Sequence, residues 1–275
     1  MSLGAGTVAT GWLARFERFA VVQSTNDVVA GWLRDDRTPE VCVAIAGEQS
    51  AGRGRSGRTW TAPAGAAFLC SIGFRPTWLS PDHLWRLGAV VALAMAEAAE
   101  TATDARRRTI QLKWPNDLVA IDRATGDVRK LAGVLGESDG IGTRDPRAVI
   151  GIGVNADWRA ADFPRALAGS MTSLREIAGD RPIDRGRLED AFLRGLEPLV
   201  AELRKGDFPA AAWRERQLTN GLPVRIDWPD GSAEPVRAED VDTETGALLV
   251  RSLDGGRVRR VLVGEIRHVR VGGVV

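Results

Sequence analysis

Lysine is scarce in this chain. Of its 37 Lys and Arg residues, only Lys113, Lys130 and Lys205 are lysine. Asparagine occurs only at 26, 116, 155 and 220, and glutamine only at 23, 49, 111 and 217. A GC-rich coding sequence drains these types wherever arginine or another polar residue serves, so the survivors mark positions where replacement would fail. Cysteine is limited to Cys42 and Cys70, both inside apolar runs. They read as buried thiols of a reduced cytosolic protein, not as a disulfide framework. The two histidines, His83 and His268, are isolated, and neither HExxH nor a Cys/His cluster occurs, which argues against a structural metal site. No run of about 18 apolar residues exists, so no membrane span is expected. The opening MSLGAGTVATGW lacks a charged segment followed by an apolar one, so a signal peptide is not expected, and Met1–Leu3 fit an expression remnant. Net charge is +1, so basic character is local and no global field points to nucleic acid. No internal repeat is found.

What the chain does have is GEQSAGRGRSGRTW at 47–60, with three glycines and three arginines within Gly52–Arg58 and no apolar side chain to bury there. Glycine lets backbone N–H groups approach a ligand closely. Arginine offers a planar fork of donors for carboxylate or phosphate. A loop that wraps an anion is one reading, and a solvated basic hairpin is the other.

The segments around it alternate strand and helix. Ser24 followed by Asp27 resembles a capping box, so a helix is expected from Thr25 to about Arg34. Val41–Ala46 and Ala67–Phe74 read as buried strands, and Thr61–Ala66 as a small-residue turn. Ser80-Pro81-Asp82 carries the signals of a helix start, and Leu84–Ala99 is apolar nearly all round. Thr109–Lys113 reads as a strand ending in the stiff corner Lys113–Leu118, because Pro115 disfavours helix at Trp114. Asp122–Arg129 is a polar hairpin tip, and Lys130 opens the strand LAGVLGES. Arg147–Asn155 is a further buried strand whose Gly151 and Gly153 share a face, leaving room for something to lie against it. Short helical pieces are expected at Asp162–Ala168, Thr172–Ala178 and Phe208–Leu218. Asp184 is expected to cap a longer helix with Leu188, Phe192, Leu196, Leu199 and Leu203 on one stripe, kinked at Pro198. Met95, Trp32, Phe192 and Trp213 sit on apolar stripes and read as core. From about Thr219 helical spacing stops. Five short runs follow (Leu222–Trp228, Ala233–Val241, Ala247–Leu253, Arg257–Val263, Glu265–Val271), separated by Pro229-Asp230-Gly231, Glu244-Thr245-Gly246 and Asp254-Gly255-Gly256, the pattern of a small antiparallel barrel. The expected architecture is α+β: a mixed sheet flanked by helices over 1–218, then a β-barrel domain over 219–275.

Several chemistries are excluded. GRGRSG is no Walker loop, since no Gly-Lys-Ser/Thr follows, and it lacks the helix context of a dinucleotide fingerprint. No serine or cysteine has a paired histidine base. Cations, amides and backbone donors remain, a set suited to phosphoryl or nucleotidyl chemistry in which charge is stabilised and groups are positioned.

In the order STN (24–26), GEQSAGRGRSGRTW (47–60), PAGA (63–66), KWPNDL (113–118), KLAGVLGE (130–137) and GIGVN (151–155), the chain resembles the biotin protein ligases, the biotin–[acetyl-CoA-carboxylase] ligase family. Three of the four asparagines and two of the three lysines fall inside these motifs. The resemblance implies a fold like that of the class II aminoacyl-tRNA synthetases followed by an SH3-like barrel. It implies that biotin and ATP, with Mg²⁺, give biotinyl-5′-adenylate and pyrophosphate, and that the biotinyl group then passes to a lysine of a carboxyl-carrier domain.

By position it implies biotin contacts from Ser24, Thr25, Asn26, Gln49, Gly52, Arg53, Gly54, Arg55 and Lys130, with Gly133, Gly151 and Gly153 in the same site. It puts Lys130 between the biotin carboxylate and the α-phosphate, and Trp60 near the adenine. Arg53, Arg55, Arg58, Lys113, Asn116, Asp117 and Asn155 would attend the nucleotide. Lys130, Arg55 and Lys113 are the catalytic candidates, and Mg²⁺ would arrive with ATP near Asp117, with no fixed protein metal site. Ser56 stands where many members carry a further arginine, and the Asp122–Arg129 turn is longer than in many. About 20 residues precede Ser24, too few for the winged helix-turn-helix of regulatory members, so DNA binding is not expected. The partner implied is the carrier domain of an acyl-CoA carboxylase in the cytoplasm, and self-association is left open up to a weak homodimer. A lipoate ligase and a non-catalytic biotin-binding regulator are the competing readings.

Overall fold

Side chains on successive residues of a strand point to opposite faces, and here one face is apolar while the other changes character along its length. The computed structural model describes residues 11–35, 40–122, 125–228, 231–262 and 268–271, the last four by backbone alone. In chain order the elements are β1 (Arg15–Val22), α1 (Thr25–Asp35), β2 (Val41–Gln49), β3 (Ala67–Phe74), α2 (Trp85–Thr103), β4 (Gln111–Lys113), β5 (Asp117–Ile121), β6 (Val128–Asp139), β7 (Arg147–Asn155), α3 (Leu174–Ile177), α4 (Arg185–Arg204) and α5 (Ala210–Glu215). Then follow β8 (Pro223–Asp227), β9 (Ala233–Val241), β10 (Leu248–Ser252), β11 (Arg259–Val261) and β12 (His268–Val271).

The first sheet runs β1-β2-β3-β7-β6-β5-β4. Only β1 and β2 pair in parallel; the other ladders are antiparallel. Val43, Ile45, Phe68, Ile72, Ile150 and Val154 point to one side, where α2 and α4 cover them. On the other side Cys42, Ala44 and Val149 meet Val29, Trp32 and Leu33 of α1. The helix lies close because Gly73 has no side chain: a Cβ there would stand 2.5 Å from Val29 Cγ1. Cys42 and Cys70 are free and buried, and burial pushes the Cys42 thiol up to about 11, out of the reactive range at neutral pH.

The second sheet runs β11-β10-β9-β8-β12, antiparallel throughout, as a small SH3-like domain requires. Among the described residues no ladder joins β11 to β12, so the expected barrel is seen as a five-stranded open order. It docks on the first unit through tryptophans: Trp114 Nε1 donates to Gly246 O at 2.8 Å, and a Cβ on Gly246 would meet Trp85 at 2.6 Å. No described helix is long and apolar enough to cross a membrane.

Most expected elements are present, with definite differences. Asp162–Ala168 is not an α-helix but a 3-10 turn at Ala160–Asp162, a bend at Phe163 and a hydrogen-bonded turn after Pro164, since proline lacks the N–H and forces Phe163 to an extended ψ of 141°. Ser80 makes no side-chain cap bond, and the helix start is a 3-10 turn at Pro81–His83. The expected strand from Thr109 shortens to β4, because the backbone N–H of Thr109 turns back to Arg106 O and that of Ile110 donates to Glu100 Oε1. The strand β5 was not expected from sequence. Asp184 does cap α4, accepting from the N–H of Arg187, and Pro198 lies within that helix. Met95, Trp32, Phe192 and Trp213 are buried as expected. The N-terminal segment 1–10, the turn at Pro229-Asp230 and the strand portions Val263 and Glu265–Arg267 lie outside the described residues.

One buried ion pair ties these parts together. Arg216 donates to Glu100 Oε1 at 2.9 Å and Oε2 at 3.0 Å and to Ile110 O at 2.8 Å, with both side chains almost wholly buried. Removing one partner of such a pair strands a charge. Arg216→Ala is therefore expected to lower unfolding stability by about 3–5 kcal/mol in urea titration; a loss below about 1 kcal/mol, the size of an exposed pair, would refute the assignment.

Candidate active site

Gly151 and Gly153 of β7 and Gly133 of β6 leave a strip of the sheet bare on the α1 side, and the chain folds two of its own groups onto it. A Cβ at Gly151 would stand 2.2 Å from Asn26 Oδ1, and one at Gly153 2.7 Å from the Trp60 ring. What lies against the glycine face is thus the N-terminus of α1 and the aromatic end of the arginine loop.

The α1 end is built from hydrogen bonds among buried side chains. Ser24, Thr25 and Asn26 are all buried. Gln49 Oε1, at the end of β2, accepts from Thr25 N at 2.7 Å and Thr25 Oγ1 at 2.9 Å. Ser71 Oγ lies 2.7 Å from Thr25 Oγ1 and 2.6 Å from Asn26 Oδ1. Asn26 Nδ2 donates to Glu137 Oε2 at 2.6 Å. Asn26 is therefore oriented from both ends, its oxygen toward a hydroxyl and its nitrogen toward a carboxylate. Ser71 and Glu137 are site residues the sequence reading gave no role. Ser71 had a signal, being the one polar side chain in the buried run AFLCSIGF, and Glu137 closes a quoted motif.

The loop 52–60 is a small hairpin laid across the strip. Trp60 N donates to Gly52 O at 2.9 Å and Gly54 N to Arg58 O at 2.7 Å, and Arg53 and Thr59 form an antiparallel bridge. Gly52 must be glycine, since a Cβ would stand 2.5 Å from Trp60 O. Ser56 and Gly57 take positive φ of 57° and 70° at the tip. The loop is pinned at two points. Arg53 grips Asp27 with both nitrogens, at 2.8 and 2.7 Å, and reaches Glu137 at 3.1 Å. That bond holds the Asp27 carboxyl below its ordinary range and pushes the Arg53 guanidinium above its own. Arg55 Nη1 donates to Asn116 Oδ1 at 3.3 Å, and Asn116 Nδ2 to Val134 O at 2.7 Å. Burial lowers the Arg55 guanidinium, and the charge of Asp117 opposes that. Arg58 stays exposed.

Two cavities flank β6. A narrow one of about 30 Å³ is lined by Thr25, Asn26, Gln49, Arg53, Trp60 and the three strip glycines, among others. A wider one of about 290 Å³ is lined by Arg55, Lys113, Asn116, Asp117 and Glu137 with apolar residues of α2, and Leu135 borders both. Lys130 lines neither cavity and is placed by its contacts with residues that do. Its Nζ is 2.6 Å from Asp117 Oδ1, 3.3 Å from where a Cβ on Gly133 would be, and 5.9 Å from the Trp60 ring centre. Asn155 is set beneath this surface, wholly buried, with Nδ2 donating to Thr172 O at 2.9 Å. The structure thus brings together Ser24, Thr25, Asn26, Gln49, Gly52, Arg53, Gly133, Gly151 and Gly153 on the narrow side, and Arg55, Lys113, Asn116 and Asp117 on the wide side. Lys130, Arg58 and Asn155 line neither cavity, nor do Gly52 and Gly54, which sit in the hairpin. Arg53, Arg55, Arg58, Lys113 and Lys130 outnumber Asp27, Asp117 and Glu137 by two charges, so the region favours anions. Among the described residues no group of three or more His, Cys, Asp or Glu could hold a metal ion.

The site is thus a cation-rich cleft at a glycine strip of a mixed sheet, followed in the chain by a small SH3-like sheet. The chain belongs to the Biotin/lipoate A/B protein ligase family, whose model matches residues 18–155. It is 32% identical over 270 residues to a biotin–[acetyl-CoA-carboxylase] ligase of Mycobacterium tuberculosis, covering 98% of this chain and 92% of that protein. It is 34% identical over 248 residues to the bifunctional ligase/repressor BirA of Escherichia coli, covering 90% of this chain and 71% of that protein. Among solved structures, a biotin protein ligase from Aquifex aeolicus in complex with biotin and ATP superposes with a TM-score of 0.73 at 23% identity, covering 94% of this chain and 99% of that one, which shows the shared fold.

The ion pairs of Arg53 give the loop its ligand-free hold. Asp27→Asn combined with Glu137→Gln is expected to speed tryptic cleavage after Arg53, Arg55 and Arg58 by up to about fivefold, the factor that roughly 1 kcal/mol of half-exposed bridge sets. Unchanged cleavage rates at these bonds, read by mass spectrometry, would show that the pairs do not hold the hairpin.

Proposed function

We propose that this chain is an ATP-dependent biotin protein ligase that makes biotinyl-5′-adenylate and transfers the biotinyl group to a lysine of a carboxylase's carrier domain. The observation that carries this reading is Lys130, whose ammonium lies 2.6 Å from Asp117 of the wide cavity and 5.9 Å from the centre of the Trp60 ring of the narrow one. Joining a carboxylate to a triphosphate requires two anions to meet, and a cation fixed between them offsets their repulsion and the charge that develops at phosphorus. Asp117, 2.6 Å away, fixes where that cation sits.

Each neighbour then has a task. The strip glycines with Thr25, Asn26 and Gln49 accept the bicyclic ring of biotin, the hydroxyl and amides supplying directed partners for its ureido group. Trp60, lying over that strip, moves aside to cover the adenylate. In the first step a biotin carboxylate oxygen bonds to the α-phosphorus and the bond to the β-phosphate oxygen breaks, releasing pyrophosphate. Arg55, Arg58 and Lys113 neutralise the departing phosphates, and Arg53 and Arg55 hold the hairpin closed so that water does not reach the mixed anhydride. In the second step the neutral ε-amine of the carrier lysine bonds to the acyl carbon and AMP leaves. Mg²⁺ is commonly held by one carboxylate plus substrate phosphates, and Asp117 is the carboxylate that would hold it, where the ion would supply further charge neutralisation. Residues 1–218 form the catalytic unit and 219–275 the small second unit, with the reaction set in the cytoplasm where ATP and carrier meet.

Two measurements test this. Purified protein with ATP and Mg²⁺ is expected to release pyrophosphate with biotin and not with lipoate, and to label a carrier domain. Lys130→Ala should lower adenylation by roughly two to three orders of magnitude with the circular dichroism unchanged, the scale on which one preorganised group acts; a wild-type rate removes its role. Gly151→Ala drives a methyl into Asn26 and should weaken biotin binding by tenfold or more, about 1.4 kcal/mol, with unaltered affinity counting against the strip as the biotin floor.

A further inference from the structure

Two of the site's polar residues are held by one segment that the sequence motifs do not include. Residues 170–176 run beside the start of β6. Lys130 N donates to Ser170 O at 2.8 Å, and Thr172 N donates to Lys130 O at 2.9 Å, so the backbone of Lys130 is bracketed on both sides. Thr172 O accepts from Asn155 Nδ2, again at 2.9 Å. One residue therefore carries both the lysine and the asparagine.

Thr172 is fixed in turn by Glu176. Thr172 Oγ1 donates to Glu176 Oε2 at 2.9 Å, and Arg129 Nη1 donates to Glu176 Oε1 at 2.9 Å. Arg129, the residue before Lys130, also pairs with Asp122 at 2.6 Å. The Glu176 carboxylate is thus a clamp across the two chain segments that meet at Lys130. The segment is anchored behind by Ser173, which is wholly buried; its Oγ donates to Trp158 O and accepts from Glu176 N at 3.1 Å. A lysine side chain has four rotatable bonds, so its ammonium is placed by two constraints together, the Asp117 carboxylate at its tip and a backbone that cannot shift at its root.

We propose that Glu176, acting through Thr172 and Arg129, is a positioning residue that sets Lys130 and Asn155 for adenylate formation. This rests on the reading of Lys130 as the cation between carboxylate and phosphate. A displacement of about an ångström in a positioned group costs about 100-fold, so loss of the clamp acts on the chemical step.

The test is a single-turnover measurement of biotinyl-adenylate formation by the full chain. Glu176→Ala and Thr172→Val are expected to lower the rate constant by roughly 10- to 100-fold while the KM for biotin stays close to wild type. Thr172→Ser, which keeps the hydroxyl, should restore most of the rate. In a Lys130→Ala background, Glu176→Ala should lower the rate little further, because groups that act as one unit do not add. Wild-type rates in folded Glu176→Ala and Thr172→Val, with Lys130→Ala still slow, sink this proposal and leave the Lys130 reading standing. An equal factor with and without Lys130 also overturns it, since that is the mark of general destabilisation. A wild-type rate in Lys130→Ala removes both. Should Glu176→Ala fail to fold, Thr172→Val, which replaces only a hydroxyl by a methyl, decides.

Discussion

Strand β7 carries no side chain at positions 151 and 153, and the rest of the site is arranged around that gap. A sheet face with ordinary side chains would hold the N-terminus of α1 and the Trp60 ring several ångströms off. With glycine, Asn26 and Trp60 reach the backbone itself. The strip stays bare on one side while the opposite face of the same strand is anchored by Ala148, Ile150, Ile152 and Val154 in the main core. Period-two geometry lets one strand do both tasks.

Electrostatics then divides the site. On the narrow side Arg53 lies against Asp27 and Glu137, and the remaining polar groups there, Gln49, Ser71 and Asn26, are neutral and oriented by one another and by Thr25. On the wide side Arg55, Lys113 and Lys130 face mainly Asp117, and positive charge is in excess. Lys130 pairs with Asp117 of the wide side, and its ammonium lies 5.9 Å from the centre of the Trp60 ring on the narrow side. The arginine hairpin spans both sides, tied to the first by Arg53 and to the second by Arg55. Opening it therefore exposes both at once.

How much of this could be read in advance varies by residue, and for physical reasons. The helix at Thr25, the strand Ala67–Phe74 and the strand Arg147–Asn155 follow from local periodicity and were expected with nearly their observed bounds. The scarcity of lysine and asparagine drew attention to Lys113, Lys130, Asn26, Asn116 and Asn155. Local rules failed at Asp162–Ala168, where Pro164 overrode helical spacing, and at β5, a five-residue strand hidden behind a turn signal. Ser71 and Glu137 were missed as site residues because their signals, a lone hydroxyl in a buried run and the last residue of a motif, do not say which distant group they bond.

The sequence alone determined which atoms are available: a bare glycine strip, an arginine loop without apolar anchors, a lysine after a charged turn, and motifs in the order of one ligase family. Each of these is a property of neighbours along the chain. Only the tertiary structure decided what those groups do to one another: that Trp60 covers Gly153, that Asn26 is held between Ser71 and Glu137, and that Glu176 and Thr172 brace Lys130 from 40 residues or more away. Contacts of that span are set by packing of sheet against helix, which pattern along the chain does not encode.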